Sequence, residues 1–398
     1  MATKPLTVAW FSYFPVEWLP GMPEEARRVP RQHPASWQRV LLTEFEKNPD
    51  LRLHIVVLRK QFERHLTFER NGVTFHLVKT PGGWRAPSLF WLDTILIRRV
   101  LRTVKPDVVH AWGTEQGAAL VAERLGYPRV VTIQGLMTWY ANITPPTRYD
   151  YVTRFLENQA LTHVPLVTTE ARFSVQYLRH RFPRLHVEQV EHAPDPVFHQ
   201  VVRKPQSSPT RFIFVGAFDH RKGGDLLLHA LDALKYELNF ELIAVGKPKS
   251  PFLETLRASV SDEMWRRITF KEHLTHVQVA EELSIATMML CPTRADVSPN
   301  AVKEAAAAGL PVVATAVGGI PDYVWPGLNG LLCSPGSLSE FIDAIRAASK
   351  HPRFSRGEVD AATLAQVREY LSPQLMARRF LETYHLALAQ QAGRGKET

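Results

Sequence analysis

Short runs of β-branched and aromatic residues alternate with helical patterns along the whole of this 398-residue chain, and this alternation limits the fold more than any other feature. A first series of predicted strands comprises residues 6–11, 53–58, 73–78, 107–110, 130–133 and 166–168. A second series comprises residues 211–216, 240–246, 268–271, 288–291 and 311–315. Strands that alternate with helices form parallel sheets, so the sequence predicts an α/β protein with two such sheets.

A proline-rich, polar stretch at residues 193–209 separates the two series, and we interpret it as an interdomain linker. We therefore expect one α/β domain at residues 1–200 and a second at residues 205–372. Ligands of open parallel sheets bind outside the carboxyl ends of the strands. A cleft between the two domains is therefore the expected position of the functional site.

The chain is basic, and its excess of positive charge lies in one half. It has 48 Lys and Arg against 39 Asp and Glu, which gives a net charge of +9. Residues 1–200 hold 25 of these bases against 18 acids, and the remainder holds 23 against 21. This distribution indicates an anionic partner of the first half, either a phosphate group or a membrane surface.

Several classes of protein are excluded by what the sequence lacks. Two cysteines, Cys291 and Cys333, make neither a disulfide framework nor a cysteine-rich zinc site, and no apolar run approaches the ~18 residues of a membrane span. We interpret the start of the chain as a first strand and not as a signal peptide, so we expect a cytoplasmic protein. Dinucleotide-binding, P-loop and metalloprotease motifs are absent, as are RNA-binding signatures, so we expect neither a metal nor nucleic acid.

The most informative motif lies at residues 291–314, where two predicted strands flank an alanine-rich helix. Ser298 is a favourable N-cap, Pro299 suits the first helical position, and Gly309 ends the helix. The helix starts at the carboxyl edge of the second sheet, where free backbone N–H groups can hold a phosphate. An ordinary strand–helix unit with a well-made cap is the alternative interpretation.

Four segments of the chain resemble glycosyltransferase family 4, whose retaining enzymes have the GT-B fold of two facing Rossmann-like domains with a cleft between them. Asp296 and Glu304, eight residues apart, are similar to the E-x7-E motif of the family. Residues 214–228 resemble its "VGR…KG…LL" segment, and residues 107–113 resemble its "DVVHxH" segment. The last helix, expected at residues 373–390, resembles the one that crosses back onto the N-terminal domain.

The resemblance implies a nucleoside-diphosphate-sugar donor, transferred with retention of anomeric configuration and with no cofactor. Lys222 corresponds to the lysine that binds the diphosphate, in a loop that begins at Gly216. Ala217 replaces the arginine of the family, and Arg221 is a candidate substitute. Charge on the departing diphosphate dominates the barrier of this reaction, so such cations are the expected main source of catalysis.

The resemblance also assigns roles around the predicted helix of the second domain. Glu304 corresponds to the acid that accepts the ribose hydroxyls, and Asp296 to the acid that contacts the donor sugar. The residues expected to contribute backbone groups at the helix start are Ser298, Pro299 and Asn300, and Asn300 is also a candidate for direct contact with the donor sugar.

In the N-terminal domain, His110 corresponds to a histidine near the reaction centre and is our candidate catalytic residue there. A core histidine is the alternative interpretation. Gln134 stands where the family commonly has a histidine, and a glutamine cannot act as a general base. Retention by front-face transfer does not require a protein base, because the leaving phosphate oxygen can take the proton of the acceptor.

Two segments are candidates for the acceptor surface. Residues 12–35 form a long insertion in place of the glycine-rich loop of the family, and residues 135–151 are rich in aromatic side chains. Long loops of this kind are often functional, and a solvated loop is the alternative for the first of them. The expected acceptor is a growing glycan or a lipid-linked sugar, in the biosynthesis of a polysaccharide or glycoconjugate.

A helix predicted over residues 88–104, with Phe90, Trp91, Ile95 and Leu101 on one face, offers a way to contact a membrane. Arg98, Arg99 and Arg102 lie beside Trp91 and Ile95, so this helix could approach an anionic membrane at its inner face. A core-facing helix with a solvated basic face is the alternative.

Two other functions stay open at this point. A GT-B epimerase or phosphorylase would use the same cleft for different chemistry. A binding protein would keep the nucleotide-sugar pocket without catalysis.

Overall fold

The computed structural model describes residues 4–114, 117–140, 148–206, 208–248 and 250–394. The chain divides into two compact units, the first comprising Met1–His192 with Pro373–Thr398 and the second comprising Ala193–Ser372. Residues 193–200, which we expected in the first domain, belong to the second unit. They contain a short helix, and Phe198 from this helix is fully buried in the core of that unit.

The strands of the first unit form one sheet in the order β3-β4-β2-β1-β5-β6-β7-β8, and those of the second form one in the order β11-β10-β9-β12-β13-β14. All neighbouring strands are parallel except β3 and β4. The strands are β1 Leu6–Ser12, β2 Leu51–Arg59, β3 Leu66–Arg70, β4 Val73–Lys79, β5 Val108–Trp112, β6 Arg129–Thr132, β7 Leu166–Thr169, β8 His186–Gln189, β9 Thr210–Val215, β10 Phe240–Val245, β11 Ile268–Lys271, β12 Met288–Cys291, β13 Val312–Thr315 and β14 Gly330–Cys333.

Helices connect the strands and cover both sheets. They are α1 Glu24–Arg27, α2 Ser36–Phe45, α3 Trp91–Val104, α4 Ala118–Leu125, α5 Met137–Tyr140, α6 Arg148–His163, α7 Arg172–Arg181, α8 Pro196–His199, α9 Gly224–Leu234, α10 Ser250–Ser259, α11 Asp262–Arg266, α12 His276–Ile285, α13 Asn300–Ala307, α14 Ile320–Tyr323, α15 Leu338–Lys350, α16 Ala361–Tyr370 and α17 Pro373–Arg394. In the described part of the chain, no helix is both long enough and apolar enough to span a membrane.

The sheet of the second unit is buried on both faces. Along β9, Phe212 and Phe214 pack in one apolar cluster, whereas Ile213 packs in a second cluster on the opposite face. Side chains of a strand alternate between the two faces of its sheet, so strands that are apolar at every position indicate burial on both sides. This explains why continuous apolar runs identified these strands correctly from sequence.

Helix α3 buries a different face from the one predicted. The sequence pattern predicts Phe90, Trp91, Ile95 and Leu101 on one buried face, but Trp91 and Ile95 are 50% and 61% exposed. The buried face instead carries Thr94, Ile97 and Leu101, three or four residues apart.

Candidate functional site

The candidate site lies where the sheet of the second unit changes the direction of its connections. Strand β9 lies between β10 and β12, so the chain leaves its carboxyl end toward one side and leaves that of β12 toward the other. Such a switch point is the place where open α/β sheets bind their ligands. The two loops that meet there, residues 216–223 and 292–299, contain six of the residues singled out from sequence.

Two glycines allow the backbone conformation of the loop after β9. Gly216 has φ +142° and Gly223 has φ +76°, conformations that residues with a side chain rarely adopt. A Cβ atom on Gly223 would lie 2.0 Å from the backbone oxygen of Pro292, so the two loops touch at this point. The side chain of Asp219 fixes the loop further, because its Oδ1 accepts a hydrogen bond of 2.9 Å from the backbone N–H of Lys222.

Two cations and one carboxylate converge at the switch point. The Nζ atom of Lys222 forms an ion pair with Oδ2 of Asp296, and Nη1 of Arg221 lies 3.7 Å from the same oxygen. Arg221 also donates a hydrogen bond of 3.0 Å to the backbone oxygen of Ala295. Arg221 therefore points toward the same group as Lys222, as its predicted role requires, whereas Ala217 is exposed and carries no charge.

Arg294 holds this arrangement together and was not identified from sequence. Its guanidinium binds both carboxylate oxygens of Asp225 at 2.7 Å and donates to the backbone oxygen of His220. Its backbone N–H donates a hydrogen bond to the backbone oxygen of Arg221. A bidentate arginine–carboxylate pair fixes geometry as well as adding energy. The basic loop after β9 is thus tied to the loop after β12.

Helix α13 begins one residue later than the sequence predicted. Pro299 is the N-cap and Asn300 the first helical residue, and no side chain caps the helix. Ser298, expected to be the cap, instead places its Oγ 3.4 Å from the hydroxyl of Tyr323. Gly309 has φ +77° just beyond the last turn, which confirms the predicted end of the helix.

Glu304 lies one turn into α13 and is almost completely buried. Burial raises the pKa of its carboxyl group to about 6, and the positive charges of His276 and Lys303 offset only part of this effect. Asp195 adds to it by charge repulsion, and Nδ1 of His276 lies 3.3 Å from Asp195 Oδ2. A carboxyl group whose pKa is raised toward neutral pH in this way is typical of functional sites.

The geometry contradicts a catalytic role for His110. Strand β5 continues to Trp112, so His110 lies within the strand and is fully buried. Its Nδ1 lies 2.8 Å from the hydroxyl of Tyr384, and its Nε2 lies 2.6 Å from Oγ1 of Thr132. Burial holds the pKa of the imidazole well below its usual range. His110 is therefore a neutral core residue with both nitrogens occupied, which was the alternative interpretation.

The insertion at residues 12–35 has an ordered structure anchored to the sheet. Glu17 is buried and its Oε2 lies 2.9 Å from Nη2 of Arg59 at the end of β2. Trp18 donates a hydrogen bond of 3.1 Å to the backbone oxygen of Gln32, and the Arg31 guanidinium lies over the Trp18 ring. In the second candidate acceptor segment, residues 141–147 lie outside the described residues.

No group of three or more His, Cys, Asp or Glu with metal-binding geometry occurs among the residues that the structure describes.

Comparisons with known families match most of the chain. Residues 41–200 match the family described as Glycosyltransferase Family 4, and residues 209–351 match the family described as Glycosyl transferases group 1. The chain is 23% identical to the glycogen synthase of Mycobacterium tuberculosis over 66% of its own length and 64% of that protein. It is 29% identical to the D-inositol 3-phosphate glycosyltransferase of Mycobacterium bovis over 44% of its length and 37% of that protein. It thus spans less than two thirds of these curated relatives.

Solved structures share the fold of the chain at low sequence identity. Sucrose-phosphate synthase from Thermosynechococcus elongatus has a TM-score of 0.74 and 16% identity, covering 97% of this chain and 100% of that one. HepE of Anabaena in complex with UDP and glucose has a TM-score of 0.67 and 14% identity, covering 95% and 99%. These matches agree with the motifs of the second unit and with the two predominantly parallel sheets. The chain belongs to glycosyltransferase family 4 and has the GT-B fold.

Proposed function

We propose that this protein is a retaining glycosyltransferase that moves a sugar from a nucleoside diphosphate to a glycan or lipid-linked acceptor without a metal ion. The observation that carries the proposal is the convergence of Arg221 and Lys222 on Asp296 at the switch point of the second sheet. Helix α13 starts beside them, and its free N–H groups add positive potential to the same place.

The reaction breaks the bond between the anomeric carbon of the donor and the oxygen of the β-phosphate, and forms a bond from that carbon to the acceptor hydroxyl. Negative charge develops on the departing diphosphate, and the released phosphate oxygen takes the proton of the acceptor. Lys222 and Arg221 stabilise this charge more strongly in the transition state than in the bound donor, which is the condition for catalysis.

Asp296 keeps the cations in place before the donor arrives. In the structure, the carboxylate of Asp296 pairs with Lys222. A diphosphate carries more negative charge than one carboxylate and competes for the same ammonium group, so donor binding transfers Lys222 from Asp296 to the phosphate. This transfer frees Asp296 to accept hydrogen bonds from the hydroxyls of the donor sugar.

Glu304 is the proposed acceptor for the two ribose hydroxyls of the donor. An ionised carboxylate has two oxygens that accept from a pair of neighbouring hydroxyls. Because burial raises its pKa to about 6, donor affinity should decline as the pH falls below that value.

Localisation at a membrane is the second part of the proposal. The side chains of Trp91 and Ile95 are exposed on α3, together with Arg99 and Arg102. Exposed apolar groups beside arginines favour the interface of an anionic membrane. A lipid-linked acceptor would be found at such a surface.

The proposal is tested by incubating the protein with UDP-, GDP- and ADP-sugars and measuring release of the nucleoside diphosphate. UDP-glucose is the first choice because UDP-glucose and UDP are the ligands of HepE in its solved complexes. We expect one donor to be turned over, and we expect Lys222→Ala to lower kcat about 100-fold or more, the usual cost of removing one stabilising group for a developing charge. Lys350→Ala, which removes an exposed lysine at the end of α15, should leave the rate unchanged.

Three other outcomes would overturn the proposal. A wild-type rate in Lys222→Ala would remove the catalytic assignment. Interconversion of sugar nucleotides, or a requirement for inorganic phosphate, would favour an epimerase or phosphorylase. Tight nucleotide binding with no turnover of any donor would favour a binding protein. The anomeric proton coupling of the glycoside product, measured by NMR, tests retention directly, because an inverted product contradicts it.

A further inference from the structure

A cavity of about 330 Å³ lies in the first unit, where strands β1, β2 and β4 end side by side. Tyr13 follows β1, Arg59 is the last residue of β2, and Thr80 follows β4, and all three residues line the cavity. Gln32, from the insertion at residues 12–35, forms part of the wall. The cavity is therefore built by the carboxyl edge of the first sheet together with the insertion.

Every charged residue in the lining of this cavity is a cation. These residues are Arg59, Lys60 and Arg85. Arg59 is paired with Glu17, and Arg85 is paired through Nε and Nη2 with Asp93, but neither carboxylate lines the cavity. Lys60 is exposed and forms no ion pair with any residue that the structure describes. The charges of Arg59 and Arg85 are thus compensated by carboxylates, whereas the charge of Lys60 is not.

Two buried polar atoms in the same wall have no partner. Arg59 and Thr80 are 6% and 2% exposed, and neither Nη1 of Arg59 nor Oγ1 of Thr80 has a hydrogen-bond partner among the described residues. Folded proteins pair nearly all such buried groups, so an unpaired one calls for an explanation. Oxygen atoms of a ligand in the cavity are suitable partners for these donors.

We propose that this cavity binds an anionic group of the acceptor, a phosphate or a carboxylate, with Arg59, Lys60 and Thr80 as the donors. Guanidinium and ammonium groups form their strongest hydrogen bonds with phosphate and carboxylate oxygens. The volume is at the lower end of the range for small-molecule sites, so it fits one charged sugar or a similar head group. That the bound molecule is the acceptor rests on the proposed function, whereas the affinity for the anion does not.

The test measures anion binding by isothermal titration calorimetry. The donor site is first saturated with the nucleoside diphosphate that raises the unfolding temperature most, because inorganic phosphate would otherwise bind near Lys222 as well. The probes are inorganic phosphate, glucose 6-phosphate, glucuronate and glucose. We expect glucose 6-phosphate or glucuronate to bind at least tenfold more tightly than glucose, and the preferred one of the two identifies the anion.

Two variants place the binding in this cavity. Thr80→Val removes the unpaired hydroxyl at nearly constant volume, and Lys60→Gln removes an exposed charge, so both should fold. We expect each to weaken binding of the preferred anion about tenfold, as loss of a hydrogen bond to a charged group does. Lys79→Gln is the matched control, because Lys79 is an exposed lysine next to Thr80 that does not line the cavity, and it should bind as the wild type does.

The outcomes separate this inference from the proposed function. Equal binding of glucose and glucose 6-phosphate, or wild-type affinity in both Thr80→Val and Lys60→Gln, overturns the anion site even where donor turnover is observed. Anion binding that both variants weaken supports the site even where no donor is turned over, and in that case only its assignment to an acceptor fails.

Discussion

Burial makes the ionised form of Glu304 destabilising in the folded second unit, and the proposed contact of Glu304 with the donor would explain this cost. Its carboxyl group is buried one turn into α13, and its pKa is raised to about 6 chiefly by that burial. The folded protein therefore binds this proton more tightly than the unfolded chain, where a glutamate has its ordinary pKa of 4.5. Natural proteins accept such costs where a charged group is needed for binding or catalysis.

The sign of the pH dependence follows from that shift. Because the folded state binds more protons, stability falls as the pH rises between 4.5 and 6, and about 2 kcal/mol is lost once the folded carboxyl group is ionised. Glu304→Gln cannot ionise. We therefore expect this variant to gain stability relative to the wild type across the same interval, reaching about 2 kcal/mol at pH 7.5. Urea denaturation at pH 5 and pH 7.5 measures the difference.

The same substitution should weaken donor binding, since a neutral amide replaces the carboxylate that is proposed to accept two ribose hydroxyls. Glu369→Gln on α16 is the control, because Glu369 is exposed and its replacement should change stability by less than about 0.5 kcal/mol at either pH. A Glu304→Gln variant with wild-type stability at pH 7.5 would show that the carboxyl group is not perturbed. A variant that is more stable and binds donor normally would remove Glu304 from the site.

At the scale of elements, helix α3 carries the residues of the proposed membrane contact. Trp91 and Ile95 point away from the buried face of the helix, and the Arg124 guanidinium lies 4.4 Å from the Trp91 ring centroid. The exposed face thus combines apolar surface with the positive charge of Arg99 and Arg102.

We expect the protein to bind vesicles that contain anionic lipid and to bind neutral vesicles at least tenfold more weakly, because both apolar burial and charge attraction contribute. The double substitution Trp91→Ala and Ile95→Ser should reduce binding about tenfold or more in a vesicle sedimentation assay. Tyr236→Ala is the control, since Tyr236 is an exposed aromatic residue of the second unit. Equal binding to neutral and anionic vesicles, or no effect of the double substitution, would contradict a role for α3.

Sequence patterns predicted those elements that are surrounded by apolar side chains on all sides. Strands buried on both faces, such as β9 and β12, consist of apolar runs and were located to within a residue or two. Strand β3 was missed, although Asn71 and Gly72 join it to β4 with φ +49° and +75°. An Asn-Gly pair between two strands is a strong hairpin signal, so this strand was predictable. Strands β8 and β14, which were also missed, have only four residues each and lie at sheet edges.

The candidate site was predictable where motifs determine local backbone and unpredictable where tertiary contacts decide. The motif was enough to place Asp296 in the loop before α13 and Glu304 inside that helix. The direction of the Arg221 side chain depends on the loop after β12, which lies more than 70 residues away in sequence. His110 illustrates the same limit, because its role is set by Tyr384, which lies 274 residues further along the chain.

At the scale of the whole molecule, the surplus positive charge and the proposed donor-binding residues lie in different units. Arg221 and Lys222 belong to the unit Ala193–Ser372, and Asp296 compensates part of their charge. The excess of bases lies in the first 200 residues, which include the cavity at Arg59 and helix α3. We therefore assign the excess charge of the first unit to the proposed acceptor and membrane contacts, and not to the proposed donor site.

This separation predicts that the two ligands protect different units from hydrogen exchange. A ligand slows the exchange of amides whose opening requires its release, because it binds only the folded form. We expect the nucleoside diphosphate to protect residues 216–223 and 297–304, and the preferred anion to protect residues 12–35 and 80–85. Glucose is the control and should protect neither. Protection of the first unit by the nucleotide would place the donor site elsewhere, and protection of residues 216–223 by the anion, with nucleotide already bound, would mean that the cavity at Arg59 and Thr80 is not its site.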